Sequence, residues 1–313
     1  MLFQLVNRMD KVEHIDPRSE SSAKEIIHSM RKIGVLGAGR LGRSMAILER
    51  IVNEPQCFTF LAMSGPMVPG GLRLVITRLV ENGMVDAIVT SGANIVHDLI
   101  EAYGGSHYRV PGGKTDGELR KGGLGRIADI TVRDDDFELF EGKIYDFLDS
   151  LPQKQRTNIS PSEFLYKLGL SLNDENSITF QAAKADVPIF SPGLIDSMLG
   201  FHLYTYSTTK MCSLDFVKDM RILGKMVQSA NRTGAVILGG GLTKHFTMGS
   251  TILRGGLDLA IQITLDRPEG GSLGGAPLKE GVSWEKVQET GAFETVIGDA
   301  TIIFPFMIAA LLN

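Results

Sequence analysis

The strongest constraint on this chain is a rhythm of short, almost wholly apolar runs that end in glycine or serine and alternate with helical patterns. Residues 57–63, 85–90, 188–190, 235–238 and 259–264 are such runs. Four of them lead into Ser64-Gly65, Ser91-Gly92, Ser191-Pro192-Gly193 and Gly239-Gly240-Gly241. Helical patterns over 72–81, 95–103, 213–228 and 246–254 lie between and after them. Strands apolar on both faces belong in a parallel sheet covered on both sides. The expected fold is therefore α/β: a doubly wound, mostly parallel, Rossmann-like sheet with helices on both faces. In such sheets a ligand sits beyond the carboxyl ends of the strands, where these glycine and serine turns fall.

With 313 residues and 43% hydrophobic content, the chain can bury a large core. Residues 1–32 are expected to form an N-terminal helical arm, and 33–313 a single α/β domain. Residues 104–178 interrupt the rhythm and are expected to be a helical and loop insertion, with helices over 137–151 and 160–170. Ser160-Pro161-Ser162-Glu163 has the form of a capped helix start. The run 302–312 contains Pro305 and is expected to be a buried helix, too short to span a bilayer. A net charge of −4 gives no basic field for nucleic acid or an anionic membrane surface. Two cysteines, Cys57 and Cys212, fit a reducing compartment. Residues 1–6 are too soon followed by charge to be a signal peptide. The expectation is a cytoplasmic protein with no nucleic-acid or membrane partner. His97, His107 and His202 show no metal-ligand spacing, and no metal site is expected.

Gly37-Ala38-Gly39-Arg40-Leu41-Gly42 matches GxGxxG and follows residues 32–36, a candidate strand. A dinucleotide fold also needs an acid at the end of the second strand. Residues 57–61 run instead into Ala62-Met63-Ser64-Gly65. The motif is read as a structural turn in preference to a cofactor loop. Pro69-Gly70-Gly71 and Gly239-Gly240-Gly241 compete for that role. More informative is Gly270-Gly271-Ser272-Leu273-Gly274-Gly275, followed by Ser283-Trp284-Glu285-Lys286. A backbone able to approach a phosphate precedes a tryptophan, acids and a lysine, which points to a nucleotide beside an amine-handling lysine.

From about Gly37 to the C-terminus the chain resembles the deoxyhypusine synthases. The resemblance rests on Asn82-Gly83-Met84-Val85-Asp86, on Thr90-Ser91-Gly92-Ala93-Asn94 with His97-Asp98-Leu99-Ile100, and on Pro188-Ile189-Phe190-Ser191-Pro192. It continues through Asp196-Ser197-Met198-Leu199-Gly200, Ile237-Leu238-Gly239-Gly240-Gly241 with Lys244-His245, Val282-Ser283-Trp284-Glu285-Lys286, and Asp299-Ala300. It implies an NAD-dependent transfer of an aminobutyl group from spermidine, through a lysine imine, to a lysine of a small translation factor, forming a hypusine precursor. It also implies a homotetramer with sites at a dimer interface. In the family the segment Gly39–Arg43 leads into a helix.

By this resemblance Lys286 is the imine-forming lysine; alone, it reads as a solvated surface residue. A nucleophilic amine must be partly neutral, which burial or a nearby cation can bring about. His245 is an active-site histidine or a satisfied structural one. Trp284 offers a π-face to an alkylammonium or packs in the core. Glu280 binds a substrate amine or is a solvated surface acid. Asp196 and Asp299 are placed on the adenine and ribose side of NAD. Thr90, Ser91, Gly92, Gly239, Gly271 and Ala300 would give it backbone or hydroxyl contacts, or simply make turns. Two positions depart from the family. Phe201 and Leu273 stand where aspartates usually pair with polyamine nitrogens, and each lost partner costs about 3–5 kcal/mol unless compensated. Either Glu269, Glu280 or Asp266 has taken over, or the amine differs. The alternatives are a homospermidine synthase-like or other amine-transferring enzyme, or a catalytically silent NAD-binding paralogue.

Overall fold

The computed structural model describes residues 10–18 and 20–312. Residues 1–9 of the expected arm, including the 1–6 stretch, lie outside the described residues. Among the described residues nine strands follow in chain order: β1 (Cys57–Met63), β2 (Ala87–Thr90), β3 (Tyr108–Arg109), β4 (Leu124–Ile127), β5 (Ile130–Arg133), β6 (Ile189–Phe190), β7 (Arg232–Leu238), β8 (Leu257–Thr264) and β9 (Val287–Ile297). Six form one sheet in the order β6-β2-β1-β7-β8-β9, and every pairing in it is parallel.

Side chains alternate across this sheet, so each strand feeds two cores. Leu61, Met63, Val236, Leu238 and Ile261 face one cluster, built with helices Leu36–Asn53, Arg73–Glu81 and Ala300–Leu312. Phe60, Ala62, Ala235, Ile237 and Ala260 face the other, with Leu223 and Val227 of helix Phe216–Ser229 and Met248 of helix Gly241–Ser250. Both faces are covered, as the apolar runs require. The chain winds from β1 outward to β2 and β6, then crosses back to β7 and outward through β8 to β9. The direction reverses between β1 and β7, so a crevice opens at their carboxyl ends.

The expected elements at 57–63, 72–81, 85–90, 188–190, 235–238 and 259–264 are present within a few residues. Helix Pro161–Leu170 starts on the expected box: Ser160 Oγ accepts from Glu163 N, and the Glu163 carboxylate accepts from Ser160 N. Helix Gly241–Ser250 begins ahead of the expected start at 246. The 302–312 run is helical within Ala300–Leu312, with Phe304, Met307 and Ile308 buried.

Residues 32–36, a candidate strand, are not one. Helix Ala23–Ile33 ends there on Gly34 in the left-handed region (φ 72°), and Leu36–Asn53 begins at once. The GxGxxG segment is neither a turn nor a cofactor loop but the first turns of that second helix. A Cβ on Gly39 would lie 2.3 Å from Gly34 C, and one on Gly42 2.3 Å from Arg31 Cα. These glycines let two helices touch backbone to backbone. The stretch 104–178 contains helices and also an unexpected antiparallel sheet, β3-β5-β4. Strand β9 was likewise not expected.

Candidate active site

The crevice at the reversal point is a cleft of about 1040 Å³. Its floor is made by Ser64-Gly65 after β1, Gly239-Gly240-Gly241 after β7, Thr264 to Asp266 after β8, and Gly298 to Thr301 after β9. Ser64 Oγ donates to Gly240 O at 2.5 Å and lies 2.6 Å from Thr243 Oγ1, tying the first two turns together. Gly239 and Gly241 hold φ of 79° and 61°, a region that favours glycine. A Cβ on Gly240 would fall 2.3 Å from Gly274 Cα, so the glycine-rich loop rests directly on this turn. Helices Gly241–Ser250 and Ala300–Leu312 both start at the cleft, and their free N–H groups favour a negative charge there. Asp299 Oδ1 accepts from Thr301 N and Oγ1, each at 2.8 Å.

Along helix Gly241–Ser250, one turn (about 5.4 Å of pitch) from Gly241, stands His245. Its Nε2 is 3.2 Å from Lys286 Nζ, a contact possible as a hydrogen bond only if one of the two is unprotonated. Lys286 Nζ also lies 5.4 Å from the centre of the Trp284 ring. Lys286 is fixed through its backbone: its N–H donates to Gly281 O at 2.9 Å and its C=O accepts from Leu257 N at 3.1 Å. Glu285 before it takes a left-handed φ of 56° at the end of the 3₁₀ helix Leu278–Trp284. Trp284 is 65% exposed, so its indole is not core packing. A half-buried amine, an imidazole and an open aromatic face form a small cluster suited to capturing a cationic or imine-bearing chain.

The deoxyhypusine synthase family model matches residues 25–311 of this chain. The chain is 45% identical over 302 residues to the "Probable deoxyhypusine synthase" of Methanothermobacter thermautotrophicus, covering 96% of this chain and 98% of that one. A Methanopyrus kandleri protein of the same name is 43% identical over 296 residues, covering 95% and 96%. The chain belongs to the deoxyhypusine synthase family. That membership makes it an enzyme of transferase type. A crystal structure assigned as a deoxyhypusine synthase from Entamoeba histolytica shares the fold, with a TM-score of 0.69 at 21% identity, covering 96% of each chain.

Within this deoxyhypusine synthase-family chain, the residues marked out by sequence fall into three places. Gly239, Asp299 and Ala300 line the cleft. Lys286, His245 and Trp284 meet one another outside the cleft's lining, and Glu280 is an exposed acid on the same 3₁₀ helix as Trp284. Thr90, Ser91, Gly92 and Asp196 gather at the ends of β2 and β6, outside the cleft lining. There Thr90 Oγ1 accepts from Asn94 Nδ2 at 3.2 Å, and Ser91 Oγ caps helix Gly92–Ala102. A Cβ on Gly92 would meet Ser197 Oγ at 2.6 Å, and Asp196 is exposed. Gly271 sits in the exposed loop at φ 65°. Phe201 and Leu273 are 52% and 39% exposed, and Phe201 lies in a stripe with Met198 and Tyr204 along helix Met198–Ser207. Of the acids named as substitutes, Asp266 lines the cleft, while Glu269 stands on an exposed turn.

Two features were not assigned from sequence. Lys244 is 1% exposed, and its ammonium donates to Gln262 Oε1 at 3.0 Å and Ala276 O at 2.5 Å. Gln262 Nε2 in turn donates to Gly239 O at 2.8 Å and Gly274 O at 2.7 Å. This buried strut joins the glycine-rich loop to the β7 turn. Burial pushes the Lys244 amine from 10.5 down to about 8, with the charges of Glu280 and Asp266 opposing the shift. A buried glutamine inside the apolar run of β8 was the available signal. Elsewhere, His97 Nδ1 and His107 Nε2 bond at 2.9 Å, and His107 Nδ1 bonds Glu101 at 2.7 Å. Burial, with His107 adding to it, pushes His97 down to about 4.

Proposed function

We propose that the protein is an NAD-dependent aminobutyl transferase in which Lys286 carries the transferred group as an imine. The observation that carries this is the placement of Lys286 Nζ 3.2 Å from His245 Nε2 and 5.4 Å from the Trp284 ring, His245 standing one helical turn after Gly241 of the cleft. The cleft fits a dinucleotide on three counts. It is at the upper end of the roughly 300–1,000 Å³ of ligand sites. Two helix N-termini meet in it, and Gly71 and Gly241 leave open space where a Cβ would stand. Gly239, Asp299 and Ala300 would hold NAD there. Thr90, Ser91, Gly92, Asp196 and Gly271 would complete the contacts if copies pair as a homotetramer with sites at a dimer interface. When bound, NAD would accept a hydride from the carbon beside the secondary amine of spermidine and return it to the product imine, leaving no net redox change.

His245 holds Lys286 and exchanges a proton with it as the amine attacks the oxidised carbon. The carbon's bond to 1,3-diaminopropane breaks and the aminobutyl group remains on Nζ. The Trp284 face and Glu280 hold the cationic end of that chain. A lysine amine of a small translation factor then displaces Lys286. A cytoplasmic setting suits such an acceptor, and no helix among the described residues is long and apolar enough to cross a membrane.

Phe201 and Leu273 favour a second reading, in which the amine differs from spermidine, as in a homospermidine synthase-like enzyme, or in which a silent paralogue binds NAD alone. Incubation with NAD and labelled spermidine, trapping with borohydride and peptide mapping tests all of these. Label on Lys286 is expected, and label on another lysine overturns the assignment. Label with putrescine but not protein as acceptor favours the second reading, and no label favours a changed donor or the silent form.

A further inference from the structure

We propose that Arg109 anchors the pyrophosphate of the dinucleotide, a role that no motif in the chain assigns; this rests on the dinucleotide reading of the cleft. The charged side chains lining the cleft among the described residues are Asp129, Asp266, Asp299 and Arg109. Three carboxylates suit ribose hydroxyls and repel a phosphate. The helix N-termini offset that repulsion only in part, because their field fades within a turn. A guanidinium supplies what is missing, since its planar fork matches two phosphate oxygens at once.

The support beneath Arg109 is built for placement. It lies on β3, opposite Ile130 of β5, and Val110 N donates to Asp129 O at 2.9 Å. The β4–β5 turn that also lines the cleft holds Ala128 at φ 53°, a conformation costly for a residue with a Cβ. Arg126 braces it, donating to Ala128 O at 3.0 Å while gripping Asp116 through two bonds of 2.5 and 3.0 Å. By contrast with Arg126, Arg109 forms no ion pair or side-chain hydrogen bond among the described residues, although three acids share its cleft. A charged fork on a braced hairpin, left open at the mouth of an acidic cleft, is poised for an anion.

The test is calorimetric titration of the full-length wild type, Arg109→Ala and Arg109→Lys with NAD, ADP-ribose, NADP and adenosine, with thermal melts to check the fold. Arg109→Ala should weaken NAD and ADP-ribose by about 10- to 100-fold and leave adenosine unchanged. Arg109→Lys should fall between, keeping charge but losing the fork. The salt dependence of NAD binding should shrink in Arg109→Ala. Equal weakening of adenosine and NAD, or no change in either, overturns the proposal. Weakening of NADP alone would assign the guanidinium to a ribose phosphate and also overturn it. Wild type that binds no NAD removes the dinucleotide reading together with this one. Binding of NAD that survives Arg109→Ala removes this one alone.

Discussion

Replacing Lys244 by methionine keeps an unbranched stem but removes the strut under the glycine-rich loop. Gln262 Oε1 and Ala276 O lose their donor, and each buried acceptor left unpaired costs about 1–3 kcal/mol. Against this, the native ammonium is itself held at a disadvantage by burial, from 10.5 down to about 8. Between those two values the unfolded chain keeps the lysine proton and the native chain does not. The unfolded state binds more protons, so native stability rises with pH across this window. At about 1.4 kcal/mol per pH unit, the contribution is bounded at about 3 kcal/mol. Below it the ammonium's burial cost offsets much of what its bonds contribute. Above it the neutral amine still donates two hydrogens and carries no such cost. The stability gap between wild type and Lys244→Met should therefore be smallest near neutral pH and widen by up to about 3 kcal/mol toward pH 10. Urea unfolding of both proteins at one fixed concentration, from about pH 7 to about pH 10, measures it. Taking the difference cancels every other titrating group common to both. A gap that stays constant with pH would refute the reasoning.

Lys286→Arg keeps the charge but cannot form the imine, so turnover should fall by at least about 10³-fold with an unchanged melting temperature; retained activity in a transfer assay would exclude Lys286. Gly42→Val places a side chain where a Cβ already falls 2.3 Å from Arg31 Cα. It should cost about 1–3 kcal/mol in urea unfolding while NAD affinity holds, and loss of NAD binding at unchanged stability would return the GxGxxG segment to a cofactor role. Ser160→Ala should cost about 0.5–2 kcal/mol by the same assay. Phe201→Asp combined with Leu273→Asp should tighten spermidine binding by at least about tenfold if these positions face the polyamine; unchanged affinity in titration would remove them from the amine site.

Local pattern was enough to reveal the parallel sheet, because strands buried on both faces must be apolar along their whole length. It was also enough for the start of helix Pro161–Leu170, where cap, proline and acid are neighbours in the chain. Strand β9 escaped because it lies at the sheet edge, half exposed, with polar Gln288, Glu289, Thr290 and Glu294 mixed into it and a register shift opposite Leu257 and Leu259. The glycines at 39 and 42 read as a turn because glycine disfavours a helix by about 1 kcal/mol. Only the crossing of helix Ala23–Ile33 explains why no side chain fits there. That Lys286, His245 and Asp299 belong to one family pattern was implied by the resemblance of their motifs to the deoxyhypusine synthases. The contact of Lys286 with His245 was not, nor was the strut from Lys244 to Gln262 or the open guanidinium of Arg109. Periodicity is a property of neighbours in the chain. A site joins residues far apart in it, and the crossing back from β6 to β7 is what brings the β1 and β7 turns of the cleft to one edge of the sheet.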